Sequence, residues 1–260
     1  VRHLSGQATH FYPLLLSPGK AGPIFPIGLA GDNTDSGGLI NEGTIRSQTI
    51  GKSITIDMAS LENIGMLSAT NGGTLDIRTP EWGNDGNIHL DAGTVIVTGS
   101  SFTNNAAGII DGTGTLDVSG TTFTNDGYVA PGLSPGVLNI IGDMIMGPTS
   151  HVILEIGGTT PGTQYDRLLI TGDVTLDGLL QIDFIDGFVP QPGDEFHMLA
   201  AASFDGAFDD VITTGLAANV QFSPQTGTFS FTIPEPSSLA LLMPCVIACL
   251  SRRTRTRACA

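Results

Sequence analysis

The chain has 260 residues, with Lys+Arg 10 against Asp+Glu 25 and a formal net charge of −15 at pH 7. Four of the basic residues are arginines near the C-terminus, so the body before them is more acidic still and should be repelled by nucleic acid and anionic membrane surfaces, which leaves cations, basic proteins or neutral glycans as its partners. The three cysteines, Cys245, Cys249 and Cys259, all lie near the C-terminus, so the body holds no disulfide and no thiol nucleophile, a usage compatible with an oxidising compartment.

Residues 1–36 carry no periodic pattern. Pro13, Pro18, Pro23 and Pro26 make this an irregular leader, and the apolar patch 11–16 is short for the core of a signal peptide, so the segment reads as a truncated signal region.

From residue 37 the chain repeats. Asn41-Glu-Gly-Thr-Ile45 recurs as Asn84-Asp-Gly-Asn-Ile88 and Asn125-Asp-Gly-Tyr-Val129, with looser copies beginning at Asn63 and Asn105. A second motif keeps step: Gly73-Thr-Leu-Asp-Ile77, Gly93-Thr-Val-Ile-Val97, Gly114-Thr-Leu-Asp-Val118 and Gly136-Val-Leu-Asn-Ile140. Both recur about every 21 residues. Segments such as Thr74-Leu75-Asp76-Ile77 alternate apolar and polar residues, as strands buried on one face do, and the Asn-Gly and Asp-Gly neighbours supply turns. The spacing predicts an all-β, right-handed parallel β-helix of about 21-residue coils over 37–150. Its Leu, Ile and Val would form apolar files along the axis, and the recurrent Asn would stack as an amide ladder. Hairpin pairs in a sandwich are the alternative all-β arrangement.

The period fades after Ala130. Strands are predicted at 152–156, 167–170, 174–176 and 179–184, with a final pair near 220–222 and 228–233, making 151–233 a β-rich cap. Pro131-Gly-Leu-Ser-Pro-Gly136, Gly157-Gly-Thr-Thr-Pro-Gly-Thr-Gln-Tyr-Asp166 and Gly193-Asp-Glu-Phe196 resemble the passenger region of autotransporters and related β-helical surface proteins. The resemblance covers roughly 130–233 and implies a terminal coil-and-sandwich cap with no particular chemistry.

The segment 234–260 has three parts in order. Pro234, Glu235 and Pro236 hold an extended, accessible stretch, since two prolines remove two backbone donors. An uncharged apolar run follows over 239–250, built on Leu239, Leu241, Leu242, Val246, Ile247 and Leu250, and is predicted to form a short hydrophobic helix. Arg252, Arg253, Arg255 and Arg257 close it as a cytoplasmic basic cluster. The 14 residues of 237–250 span about 21 Å as helix, against a bilayer core of about 30 Å, and Pro244 interrupts them, which fits transient inner-membrane association better than a lasting span. This tail resembles the PEP-CTERM sorting signal of exported bacterial proteins. The resemblance implies export, brief anchoring by the C-terminus and processing by an exosortase partner that recognises Pro234, Glu235 and Pro236, followed by release to the cell surface or extracellular matrix.

Parallel β-helices include polysaccharide lyases and hydrolases, so the body needs searching for chemistry. Asp76 and Asp117 hold equivalent places two coils apart, but Ile96 interrupts the column and leaves them about 9.6 Å apart, too far to share an ion. His3, His10, His89, His151 and His197 show no metal-ligand spacing, and Ser134 and Ser150 lack a nucleophile-elbow context. Beyond the leader, Arg46, Arg78 and Arg167 are the only arginines of the body, few for a lyase of acidic sugars. Trp82 and Tyr128 read as core or edge aromatics, with stacking on a sugar ring as the functional alternative. No catalytic residue, resident metal or cofactor is expected. Weak Ca2+ binding at Asp32-Asn33-Thr34-Asp35-Ser36-Gly37, or at Asp205, Asp209 and Asp210, is the one metal chemistry the acidic turns allow. The function expected is that of a structural or adhesive surface protein that meets extracellular polysaccharide. A β-helical lyase or hydrolase, or a non-catalytic glycan-binding module, is the alternative.

Overall fold

A computed structural model describes residues 28–30 and 38–233. Of the leader only Gly28–Ala30 is described, and it is a strand paired in parallel with Ser53–Asp57 and not irregular chain. The rest of the leader, the Asp32–Gly37 segment, the sorting motif, the apolar run with its predicted helix and the arginine cluster lie outside the described residues. Within them the chain is all-β, and no helix is long and apolar enough to cross a membrane.

The strands stack in parallel on three faces, visited in a fixed order. The first face holds Gly38–Asn41, Ser60–Asn63 and Glu81–Asn84, the ends of the long strands Asn87–Asn104 and Ile109–Asn125, then Met144–Met146, Asp173–Leu176 and Ser203–Gly206. The second holds Thr44–Ser47 and Met66–Thr70, the starts of the two long strands, then Tyr128–Pro131, His151–Ile156, Leu179–Phe184 and Asp210–Thr214. The third holds Gly28–Ala30, Ser53–Asp57 and Thr74–Ile77, the middles of the long strands, then Val137–Ile141, Arg167–Ile170 and Leu199–Ala200. Each long strand turns two corners, and the ladder between them shifts register at Thr113/Gly114 and around Gly120. Gly112 sits at the first corner with φ +99, where a Cβ would overlap the Leu90 carbonyl oxygen, so only glycine fits.

The predicted alternation holds. Thr74–Ile77 is buried at Leu75 and Ile77 and half-buried between them. The register stacks Leu75, Val95, Leu116, Ile140 and Ile170 into one apolar file. On the first face Trp82, Phe102 and Phe123 form an aromatic file, with ring centroids 4.3 and 5.0 Å apart. No single coil could bury these side chains; each is covered by the coils above and below.

Two details differ from the sequence expectation. Gly114 pairs with Leu138 and Leu116 with Ile140, so the last copy of the Gly motif stands two residues out of the register its similarity suggests. A shift of two keeps every side chain on its own face, which is why the alternation alone cannot detect it. The coil stack also continues past residue 150. Equivalent rungs that stand 21 residues apart at Asn63 and Asn84 become 30 apart at Asp143 and Asp173, and at Asp173 and Ser203. The added residues fall in the turns 157–166 and 185–198, between the second and third faces. The strands predicted in 151–233 are present, but those up to Asp210–Thr214 are rungs of the same stack. Only Asn219–Ser223 and Thr228–Thr232 pair with each other as an antiparallel ladder. This hairpin closes the end of the core. Phe229 exchanges backbone hydrogen bonds with Phe196 (2.9 and 2.8 Å), Phe231 packs edge-on against Phe184, and Phe222 packs on Phe204 and Phe229.

Leu116 is fully buried in the middle of its file. Leu116→Ala should cost about 2–5 kcal/mol in urea unfolding, with one cooperative transition lost from all coils together.

Candidate functional site

The most ordered polar feature is internal. Asn41, Asn63, Asn84, Asn104 and Asn125 are buried at the end of the first-face strands, 6% exposed at Asn41 and 0% at the other four. Each Nδ2 donates to the Oδ1 of the next: 2.6 Å from Asn41 to Asn63, 2.6 Å from Asn63 to Asn84, 2.7 Å from Asn84 to Asn104, and 2.7 Å from Asn104 to Asn125. Asn125 ends the column by donating to Ser150 Oγ at 2.5 Å, which gives that buried serine a structural role. The second amide proton is aimed at turn carbonyls, such as Gly86 at 3.1 Å from Asn84 and Gly127 at 3.0 Å from Asn125.

The ladder member in the fourth coil is Asn104, where motif similarity points to Asn105. Asn105 faces outward and donates to Asp85 Oδ2 at 2.7 Å. Strand parity contains the answer. The buried Asn follows two residues after an inward apolar side chain in every coil, as Leu39-x-Asn41, Leu61-x-Asn63, Trp82-x-Asn84, Phe102-x-Asn104 and Phe123-x-Asn125.

The outward carboxylates do not converge. Asp76 and Asp117 both pair in register with Ile96. Arg78 grips Asp76 through Nε and Nη2 at 3.0 and 2.7 Å, and this carboxylate raises the arginine pKa further above its ordinary value. Asp117 accepts from the Ser119 backbone N–H and hydroxyl at 3.0 and 2.6 Å. His89 Nδ1 meets Asp111 Oδ1 at 2.5 Å, His151 Nε2 meets Gln181 Oε1 at 3.1 Å, and His197 Nδ1 meets Thr228 Oγ1 at 3.1 Å, three separate places. Arg167 is spent on the His197 carbonyl (3.1 Å) and Arg46 stands exposed on the second face. Asp205 and Asp210 belong to different faces, and Asp210 accepts from the Val211 N–H at 2.8 Å. Among the described residues no three His, Cys, Asp or Glu side chains are grouped to hold a metal ion. The two candidate sugar-stacking aromatics separate cleanly: Trp82 is buried in the aromatic file, whereas Tyr128 is 39% exposed on the second face.

Asp166 has no counterpart in residue-by-residue reasoning about charge. It is 1% exposed and forms no ion pair among the described residues; the neighbouring Arg167 turns its guanidinium to the His197 carbonyl. Its Oδ1 accepts from the Gly136 N–H at 2.7 Å and its Oδ2 from the Glu155 N–H at 2.8 Å, which ties the Pro131–Gly136 turn to the coil behind it. Gly132, at φ +99, lies close enough that a Cβ would press on Oδ1. Burial pushes the Asp166 carboxyl up to about 7; the two N–H donors oppose this, and the Glu155 and Asp183 charges add to it. No family model matches the chain, and neither does any curated protein sequence.

Two outcomes follow. Asn84→Ala orphans the Asn63 donor and the Asn104 acceptor and should cost about 1–3 kcal/mol for each, while Asn105→Ala should stay within about 0.5 kcal/mol, both read by urea unfolding. For Asp166 the folded pKa lies above the ordinary 3.8, so the native state binds the extra proton between the two values. The contribution of Asp166 is therefore full below about pH 4 and lost as pH rises to about 7, with a slope of at most about 1.4 kcal/mol per pH unit. Unfolding midpoints across pH 4–8 should show this fall in the parent and not in Asp166→Asn.

Proposed function

We propose that this chain is an exported structural or adhesive protein of the cell surface or extracellular matrix, whose body is a β-solenoid and whose tail is a PEP-CTERM sorting signal. The β-solenoid fold fits a structural or adhesive role, because stacking coils turns a short repeat into three long, regular outward faces. One observation carries the reading. The antiparallel hairpin ends at Thr232, and Pro234-Glu235-Pro236 begins two residues later. On this reading the motif follows directly on the closed end of the core, and a cut there leaves every described strand of the stack in place.

On this reading the tail holds the protein at the inner membrane briefly, an exosortase that recognises Pro234, Glu235 and Pro236 processes it, and the acidic body is released. The body acts by contact, without catalysis: the outward carboxylates Asp76 and Asp117 are separated by a rung and already engaged by Arg78 and Ser119. Its partners outside the cell are matrix polysaccharides.

Fractionation of an exosortase-bearing host expressing the full chain, and the chain lacking 234–260, tests the reading. Processed protein should reach the surface or medium only with the tail present; identical location of both forms would overturn the sorting role.

A further inference from the structure

We propose that the second face around Tyr128 is a binding site for a neutral glycan chain. This rests on the adhesive reading above and gives it a location and a ligand class. Ile109 and Tyr128 stand on adjacent rungs in direct register and are 38% and 39% exposed. Together they form a narrow apolar platform about one coil spacing long, roughly 4.8 Å. Tyr128 is steadied from the next rung by His151, whose ring lies 5.0 Å away, tilted by 44°. Beside the platform, Asp111 pairs in register with Ala130, a small side chain that leaves the flank of the tyrosine uncovered.

Polar groups already fixed in orientation border this platform. Asp111 accepts from Asn87 Nδ2 at 3.1 Å and meets His89 Nδ1 at 2.5 Å, and both Asp111 and His89 stay partly exposed, at 30% and 25% of their side chains. A pyranose ring offers an apolar C–H face rimmed by hydroxyls. The Tyr128 and Ile109 platform takes the first, and the Asp111 carboxylate with the His89 imidazole takes the second. Two exposed apolar side chains are too little for a protein partner, which needs a contiguous patch of several hundred Å2.

Charge selects the sugar class. From Met66–Thr70 to Asp210–Thr214 the strands of this face carry no Lys or Arg, while Asp111, Glu155 and Asp183 point outward from it. A uronic acid chain would be repelled, and a neutral one would not.

Affinity electrophoresis of the full chain through gels containing dextran, laminarin or xyloglucan, with alginate and polygalacturonate as acidic arms, tests the proposal. At least one neutral gel should retard the protein, and the acidic gels should not. Tyr128→Ala should weaken that retardation at least about tenfold. Tyr128→Phe, which keeps the ring, should stay within about threefold of the parent, as should Ile145→Ala, an exposed apolar residue of the first face. Circular dichroism checks that each variant folds. No retardation by any neutral gel, retardation by the acidic gels alone, or undiminished binding by Tyr128→Ala would overturn it. Such a failure leaves tail-dependent localisation standing, and a failed fractionation leaves the gel result standing, so the two readings fall separately.

Discussion

An asparagine buried among Leu, Trp and Phe must place two N–H donors and one carbonyl, and at 0% exposure it cannot turn them to bulk solvent. In this solenoid the partners are the amide of the next coil and the carbonyls of the turn that follows. Each Asn is thus satisfied only when its neighbours stand in one register and at one height. Net stabilisation from each bond is modest, near 1 kcal/mol, but the penalty for an orphaned buried amide is larger. The ladder therefore acts chiefly to forbid wrong stackings. A slip of one residue would turn every Asn to solvent and bring a polar neighbour inward, while the apolar files of Leu, Ile and Val tolerate many registers among themselves.

With register fixed inside, the outward positions are free to vary, and they do. Thr, Asp, His, Ile and Tyr alternate along the columns, and among the described residues no three His, Cys, Asp or Glu side chains are grouped to hold a metal ion. The coils also lengthen without leaving the stack: turns at 157–166 and 185–198 grow while the strands keep their parallel partners. Asp166 ties the first of the longer coils down, its carboxylate bridging the Gly136 and Glu155 amides in place of the Asn column, which has ended at Ser150. At the far end the phenylalanines of the hairpin cover the last rung, so the apolar core is closed by side chains at the point where the tail leaves.

Much of this was legible in the sequence because period and alternation are local. The 21-residue spacing and the Thr74-Leu75-Asp76-Ile77 pattern sufficed for the stacked parallel strands and their inward files, and the interruption of the Asp column by Ile96 was readable from the same alignment. Of what was missed, one part was local, and the rest depended on contacts between distant residues. Asn104 and Asn105 are chemically identical, and only counting parity from Phe102 separates them. The two-residue offset of Gly136 preserves every face. The stack beyond 150 is invisible to a period search because its turns, not its strands, change length. Asp166 gains its role from a turn 30 residues earlier, and the exposure that distinguishes Tyr128 from Trp82 exists only once the coils are stacked.

The central claim is that neighbouring coils are coupled through their buried amides, and a double-mutant cycle on Asn84 and Asn104 tests it most directly. Urea unfolding of Asn84→Ala, Asn104→Ala and the double variant should give an interaction energy of about 0.5–3 kcal/mol, because the second deletion removes a partner the first has already stranded. Effects that add within about 0.3 kcal/mol would contradict the ladder as the element that sets the register of the solenoid.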